Sequence, residues 1–386
     1  AASLAKLFVQ VPYSGELSDD VKRQHDDKER FVYGCLKAID DVLMRRGQHP
    51  LQVQSAWHLG LRGLFFMQAV LNRTPNGTVI EGEPWDARNT YWRFGAKGLL
   101  WACYRSERTV AEVQEQYEVR LPGRDERDLV EVYNWFDTMF NAVVVEGEWL
   151  KRPTLHGASR LRRVPIAVGV SGNSPLISQQ RLTSGSGDYA NTIKEYAESI
   201  YGSSRGVFDS WNEIMSIYLD NVNRGREQSY VFASHTGEKP IEGDINESGT
   251  VLGIQTGETI NPVPVPEIAK STAQLASLVS GEIQRASLPF PAYGDAPFQL
   301  SGIAINILNQ TNMTVLAPVL RGMTSVTHQV SELLVDQYLT GAFDDLKLDG
   351  LHRSRHYFNV TIPPARIDNL PAVVIRYVPE LPQDDA

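Results

Sequence analysis

A chain of 386 residues is too long for one ordinary core, so two or three domains are expected. Hydrophobic residues make up 42% and charged residues 22%, which excludes an intrinsically disordered chain. A formal net charge of −9 excludes broad, non-specific neutralisation of phosphates, but not a surface past which DNA slides.

Cys35 and Cys103 are the two cysteines, and each sits in an apolar pattern, so two buried free thiols are expected rather than a disulfide. No apolar run reaches the roughly 18 residues of a membrane span. The start lacks the basic and apolar regions of a signal peptide, and its first residue is Ala, so it is either processed or internal to a longer chain.

Residues 17–47 predict an amphipathic helix. Ser18 is its N-cap, Val32, Cys35, Leu36, Ile39 and Leu43 form its apolar face, and Gly47 stops it. The mixed-sign run DDVKRQHDDKER is expected on a solvated face. Residues 50–73 hold a second helical pattern, weakened by Gly60 and Gly63. PNGTVIEGEPWD predicts a turn and a short strand. The next stretch carries Trp85, Tyr91, Trp92, Trp101 and Tyr104 beside Arg88 and Arg93. Such a cluster can stack on bases, and a packing core is the expectation preferred here. Thr109 opens a short helix, VVVEGEWL predicts a hairpin turning at Glu146-Gly147, and residues 162–170 predict a further strand. The first 200 or so residues therefore predict mixed α+β structure.

A glycine- and serine-containing loop and a short helix fill 182–205, with a hinge at 202–205. Residues 206–224 predict a helix with Val207, Trp211, Ile214, Met215, Tyr218 and Val222 at helical spacing. A turn-rich stretch follows, with strands expected at Tyr230–Ala233 and Val251–Ile254, and prolines 262, 264 and 266 stiffen its exit. Residues 266–287 predict a helix rich in small residues. The loop 288–300 has three prolines, three aromatics and one charge, Asp295.

Residues 301–340 then predict a helix of roughly 60 Å, with Ser301 as N-cap and Gly341 as stop. Pro318 removes a backbone donor and Gly322 follows closely, so either a kinked helix or two helices joined end to end is expected. Three strands are predicted after Gly341.

No HExxH, CxxC pair or GxSxG elbow is present, and the loop SGNSP lacks the spacing of a phosphate-cradling turn. His352 and His356 fall in a predicted strand between arginines, a poor setting for a metal pair. Neither catalysis, nor a cofactor, nor a metal is expected.

Four stretches, FGAKGLLWACYRSERTVAEVQEQY, VFDSWNEIMSIYLDNVNRGRE, PFQLSGIAINIL and IPPARIDNLPAVVIRYVPELPQD, resemble the portal proteins of tailed bacteriophages, and the likeness extends from about Trp92 onward. The SGIA-type start of the long helix is its most specific piece. The resemblance implies an α+β portal fold. Residues 1–205 and 301–386 would form the wing, 206–225 and 265–287 two stem helices, 226–264 a small β clip and 288–300 a tunnel loop. It implies a homo-oligomeric ring, usually of twelve copies, at one capsid vertex of the virion. The ring would contact the major capsid protein and dock terminase and a head–tail adaptor, and double-stranded DNA would pass through it without sequence readout or any membrane. Phe290, Tyr293, Asp295, Phe298 and Gln299 would shape the constriction, or the aromatics would pack on the neighbouring subunit. Lys270 and Arg285 would either face the channel or pair with Glu267 and Glu282, each three residues away. Whether a helical crown follows Ala386 is left open. The rival readings are another virion structural protein, such as an adaptor or shell subunit, and a nucleic-acid-processing enzyme.

Overall fold

The computed structural model describes residues 6–13, 18–75, 77–121, 123–171, 199, 201–202, 205–226, 230–233, 259–262, 270–286, 302–352, 356–368 and 372–378. The architecture is mixed α+β, with six helices and five sheets among the described residues. The chain divides into two compact units, one of residues 1–200 and 313–386, the other of residues 201–312.

In the larger unit, β1 (Lys6–Gln10) precedes α1 (Asp19–Arg45) and α2 (Leu51–Arg62). The apolar face of α1 is buried as its spacing predicts, with Phe31, Ile39 and Leu43 excluded from solvent. Its charged first half departs from expectation. His25, Asp27, Lys28 and Glu29 are buried rather than solvated. Partners distant in sequence account for this. Val11 N–H donates to Glu29 Oε1 at 3.0 Å, and Arg366 lies 3.5 Å from Asp27. Burial pulls the Lys28 ammonium below its ordinary range, against the opposing pull of Asp336, Asp368 and Glu332.

The pattern at 50–73 also resolves differently. The helix ends at Arg62, Gly63 caps it at φ 73°, and β2 (Leu64–Thr74) begins at once. β2 is the middle strand of a three-stranded antiparallel sheet, between β3 (Gly77–Trp85) and β9 (Ile166–Val170). Phe65, Met67, Ala69 and Leu71 enter one core with α1, while Leu64, Phe66 and Val70 enter a second. A strand buried on both faces loses its polar alternation, so LFFMQAVL reads like buried helix.

A five-stranded antiparallel meander follows in chain order: β4 (Thr90–Gly95), β5 (Gly98–Thr109), β6 (Leu129–Asp137), β7 (Phe140–Val145) and β8 (Glu148–Leu155). The aromatic stretch is largely a packing core. Trp85 stacks on Tyr104 at 5.2 Å, and Phe66 meets Trp92 at 4.8 Å. The β7–β8 hairpin turns at Glu146 and Gly147, whose φ values of 49° and 90° suit the twist of the flanking strands. Thr109 caps α3 (Val110–Tyr117) in a reciprocal capping box with Glu112. Both cysteines are free; burial raises both thiols, that of half-buried Cys103 to about 11.

Unit two contains α4 (Arg205–Arg226), then β10 (Tyr230–Ala233) paired antiparallel with β11 (Thr259–Pro262), then α5 (Lys270–Ala286). The strand expected at 251–254 lies outside the described residues, and the partner of β10 among them is β11, which sequence patterning missed. α6 (Gly302–Leu339) is one unbroken helix with Pro318 inside it, so the alternative of two joined helices is set aside. The chain closes with β12 (Leu346–His352) and β13 (His356–Ile362) as a hairpin, and β14 (Val374–Val378) against β1.

Candidate functional site

In unit two, α4 packs against α5. At about 100° per residue, Val207, Trp211, Ile214 and Tyr218 share one face of α4. Ile214 is buried and the other three are half-buried. Phe208, Met215 and Leu219, spaced seven and four apart, form a second apolar stripe roughly a quarter turn away and stay exposed, Leu219 at 60%. α5 repeats the arrangement. Ala276, Val279 and Ser280 are half-buried, whereas Leu275 and Leu278 face solvent, Leu278 at 67%. Each helix thus carries one set of positions turned inward and one apolar stripe turned out.

In unit one, α6 is joined to the sheet by side-chain amides. Gln329 accepts from Val168 N–H at 3.0 Å and donates to Val168 O at 2.8 Å, occupying the outer edge of β9. Eight residues on, buried Gln337 accepts from Leu71 N–H at 2.9 Å and donates to Ala69 O at 3.0 Å, where β2 runs past the end of β9. Both glutamines act as surrogate strand residues and close an edge that would otherwise carry unpaired groups. Between them and Pro318, Gly322 makes the close approach possible. A Cβ there would lie 3.0 Å from both Leu59 Cδ1 and Val170 O, and one on Gly169 would lie 2.3 Å from Val326 Cγ2. The end of α6 is fixed by Tyr338, whose hydroxyl donates to Ile362 O at 2.6 Å and accepts from Leu346 N–H at 3.0 Å.

Of the residues singled out by sequence, Phe290, Tyr293, Asp295, Phe298 and Gln299 lie outside the described residues. Lys270 is the first residue of α5, and Arg285 is the last but one. Pro318 is half-buried and Gly322 buried, both within α6. Gln329 and Gln337 were missed. The signal of Gln337 was readable in part, since 326, 330, 333 and 337 form one stripe whose other members are Val326, Val330 and Leu333. His352 and His356 stand opposite each other across the β12–β13 hairpin. Among the described residues, no three His, Cys, Asp or Glu side chains converge as a metal site. None of their helices is long and apolar enough to cross a membrane. No protein-family model matches the chain, and no curated protein sequence does.

Proposed function

We propose that this chain is the repeating subunit of a tailed-phage portal. It assembles as a ring, usually of twelve copies in that family, at one capsid vertex, where double-stranded DNA enters and leaves. The ring docks terminase and a head–tail adaptor. In this reading α4 and α5 are the stem helices, β10 and β11 belong to the clip, residues 288–300 are the tunnel loop, and unit one is the wing.

The observation that carries it is the outward apolar stripe on each helix of the α4–α5 pair. Exposed stripes of this kind mark protein–protein contact. Different patches on two helices of one subunit suit a head-to-tail interface, which closes into a ring when the rotation permits. The acidic chain and the single charge in loop 288–300 suit DNA that slides rather than binds, because each neutralised phosphate adds affinity.

Negative-stain imaging of the purified chain tests the reading. Closed rings with a central hole are expected; a compact monomer across the accessible concentration range overturns it. Replacing residues 289–299 with a short Gly-Ser linker should leave rings intact while impairing DNA packaging or retention.

A further inference from the structure

The larger unit holds an open groove of about 880 Å³ between α6 and β14. One wall is the α6 segment from Ala317 to His328, and the other is the consecutive run Ala372–Tyr377. Two features set this groove apart. First, β14 pairs with β1 on one side, and among the described residues it has no strand on the other. A strand edge presents backbone N–H and C=O groups that another extended chain can satisfy. Second, the lining is mostly apolar, yet it carries the basic side chains Arg321, Arg376 and His328 and the phenol of Tyr377, with no carboxylate among its residues. In a chain of net charge −9 this is a local concentration of positive charge. Arg321 and Arg376 are exposed and make no ion pair with any described residue, while His328 lies 3.3 Å from Glu332.

We infer that this groove receives an extended, acidic segment of a partner protein, which adds to β14 as a further strand. Main-chain hydrogen bonds to the β14 edge supply affinity in such strand addition, and alternate side chains supply specificity. One set of side chains would rest on the apolar floor around Leu320 and Val373. The other would place carboxylates near Arg321 and Arg376. Charge across the groove selects an acidic segment and rejects a basic one. The inference uses unit one alone and stands whether or not the chain forms rings.

Fluorescence anisotropy on the 386-residue chain tests it, with a labelled short peptide alternating valine with aspartate and glutamate. Saturable binding is expected, weakening as salt is raised. The same peptide with lysine at the acidic positions should fail to bind. R321A combined with R376A should lower affinity about tenfold, since both side chains lie at the exposed rim and the fold does not need them. A peptide N-methylated on alternate backbone nitrogens should lose binding, because one edge of its hydrogen-bonding pattern is blocked. Equal binding of acidic and basic peptides, or of methylated and unmethylated ones, overturns the proposal. So does peptide binding that falls as the protein self-associates, which would assign the groove to a second copy of the chain.

Discussion

Among the described residues, the two units differ in how much core stands behind their exposed apolar side chains. Unit one builds a large core around α1, β2 and α6, while leaving Leu129, Trp149, Leu155 and Tyr357 at its surface, and where α6 meets the sheet the backbone edges are closed by Gln329 and Gln337. Among its described residues unit two offers α4, α5, the start of α6 and a two-stranded ribbon, and leaves Phe208, Met215, Leu219, Leu275 and Leu278 facing solvent. A helix pair of this size has little interior of its own, and the proposed ring would bury those stripes against other copies. The difference teaches where each unit finds its stability: unit one in its own core, and unit two, in the portal reading proposed above, in contact with neighbouring copies.

The largest effect should come from breaking that division at unit two. L219E combined with L278E places charge on both outward stripes, and light scattering should report complete loss of assembly. The thermal midpoint of unit one, followed by calorimetry, should stay where it was; a fall in both would mean that the stripes serve folding instead. Next in size is Q337L in unit one. It orphans the buried Ala69 carbonyl and Leu71 N–H, each worth about 1–3 kcal/mol, so a loss of about 2–6 kcal/mol is expected in denaturant unfolding. Q329L, at a half-exposed position beside Val168, should cost about 1 kcal/mol, because water can reach the groups it abandons.

G169A sharpens the same contrast from the packing side. Its methyl would meet Val326 and the Gly322 carbonyl at the tightest approach of α6 to β9, and overpacking there should cost about 1–3 kcal/mol. Neither glutamine nor glycine variant should alter the assembly proposed for unit two.

What the sequence disclosed was whatever is decided locally. Thr109 and Glu112 lie within one turn, Glu146-Gly147 is a two-residue turn, and the face of α1 from Val32 to Leu43 repeats at helical spacing. What stayed hidden depends on partners far along the chain. Asp27 and Glu29 look like solvated charges until Arg366 and Val11 are brought to them. β2 resembled a helix because a core lies on each side of it. Gln337 sat on an apolar stripe in plain view, but its meaning required the end of β9 to fall short beside it.

The smallest expected effect is a slope with pH, and it belongs to unit one. His156 is buried, its Nδ1 accepts from Ala158 N–H at 3.2 Å, and its Nε2 therefore carries the proton that meets Asp137 O at 2.9 Å. Burial holds this imidazole below its ordinary range, outweighing the upward pull of the Asp137 carbonyl. A histidine depressed in the folded state binds its proton more readily when unfolded, so acid favours unfolding. Its contribution is fully present above about pH 6.5 and is lost as pH falls through the folded value. Burial raises Asp40 and Asp336, which act in the opposite sense: their contribution is present in acid and lost as pH rises. The net slope of the wild type therefore mixes both, and H156N isolates the histidine. Between pH 7 and pH 5 the denaturant midpoint of H156N should fall less than that of the wild type. Parallel profiles would mean that His156 keeps its ordinary proton affinity in the fold, and that the hydrogen bonds at its two nitrogens do not fix it as the neutral form.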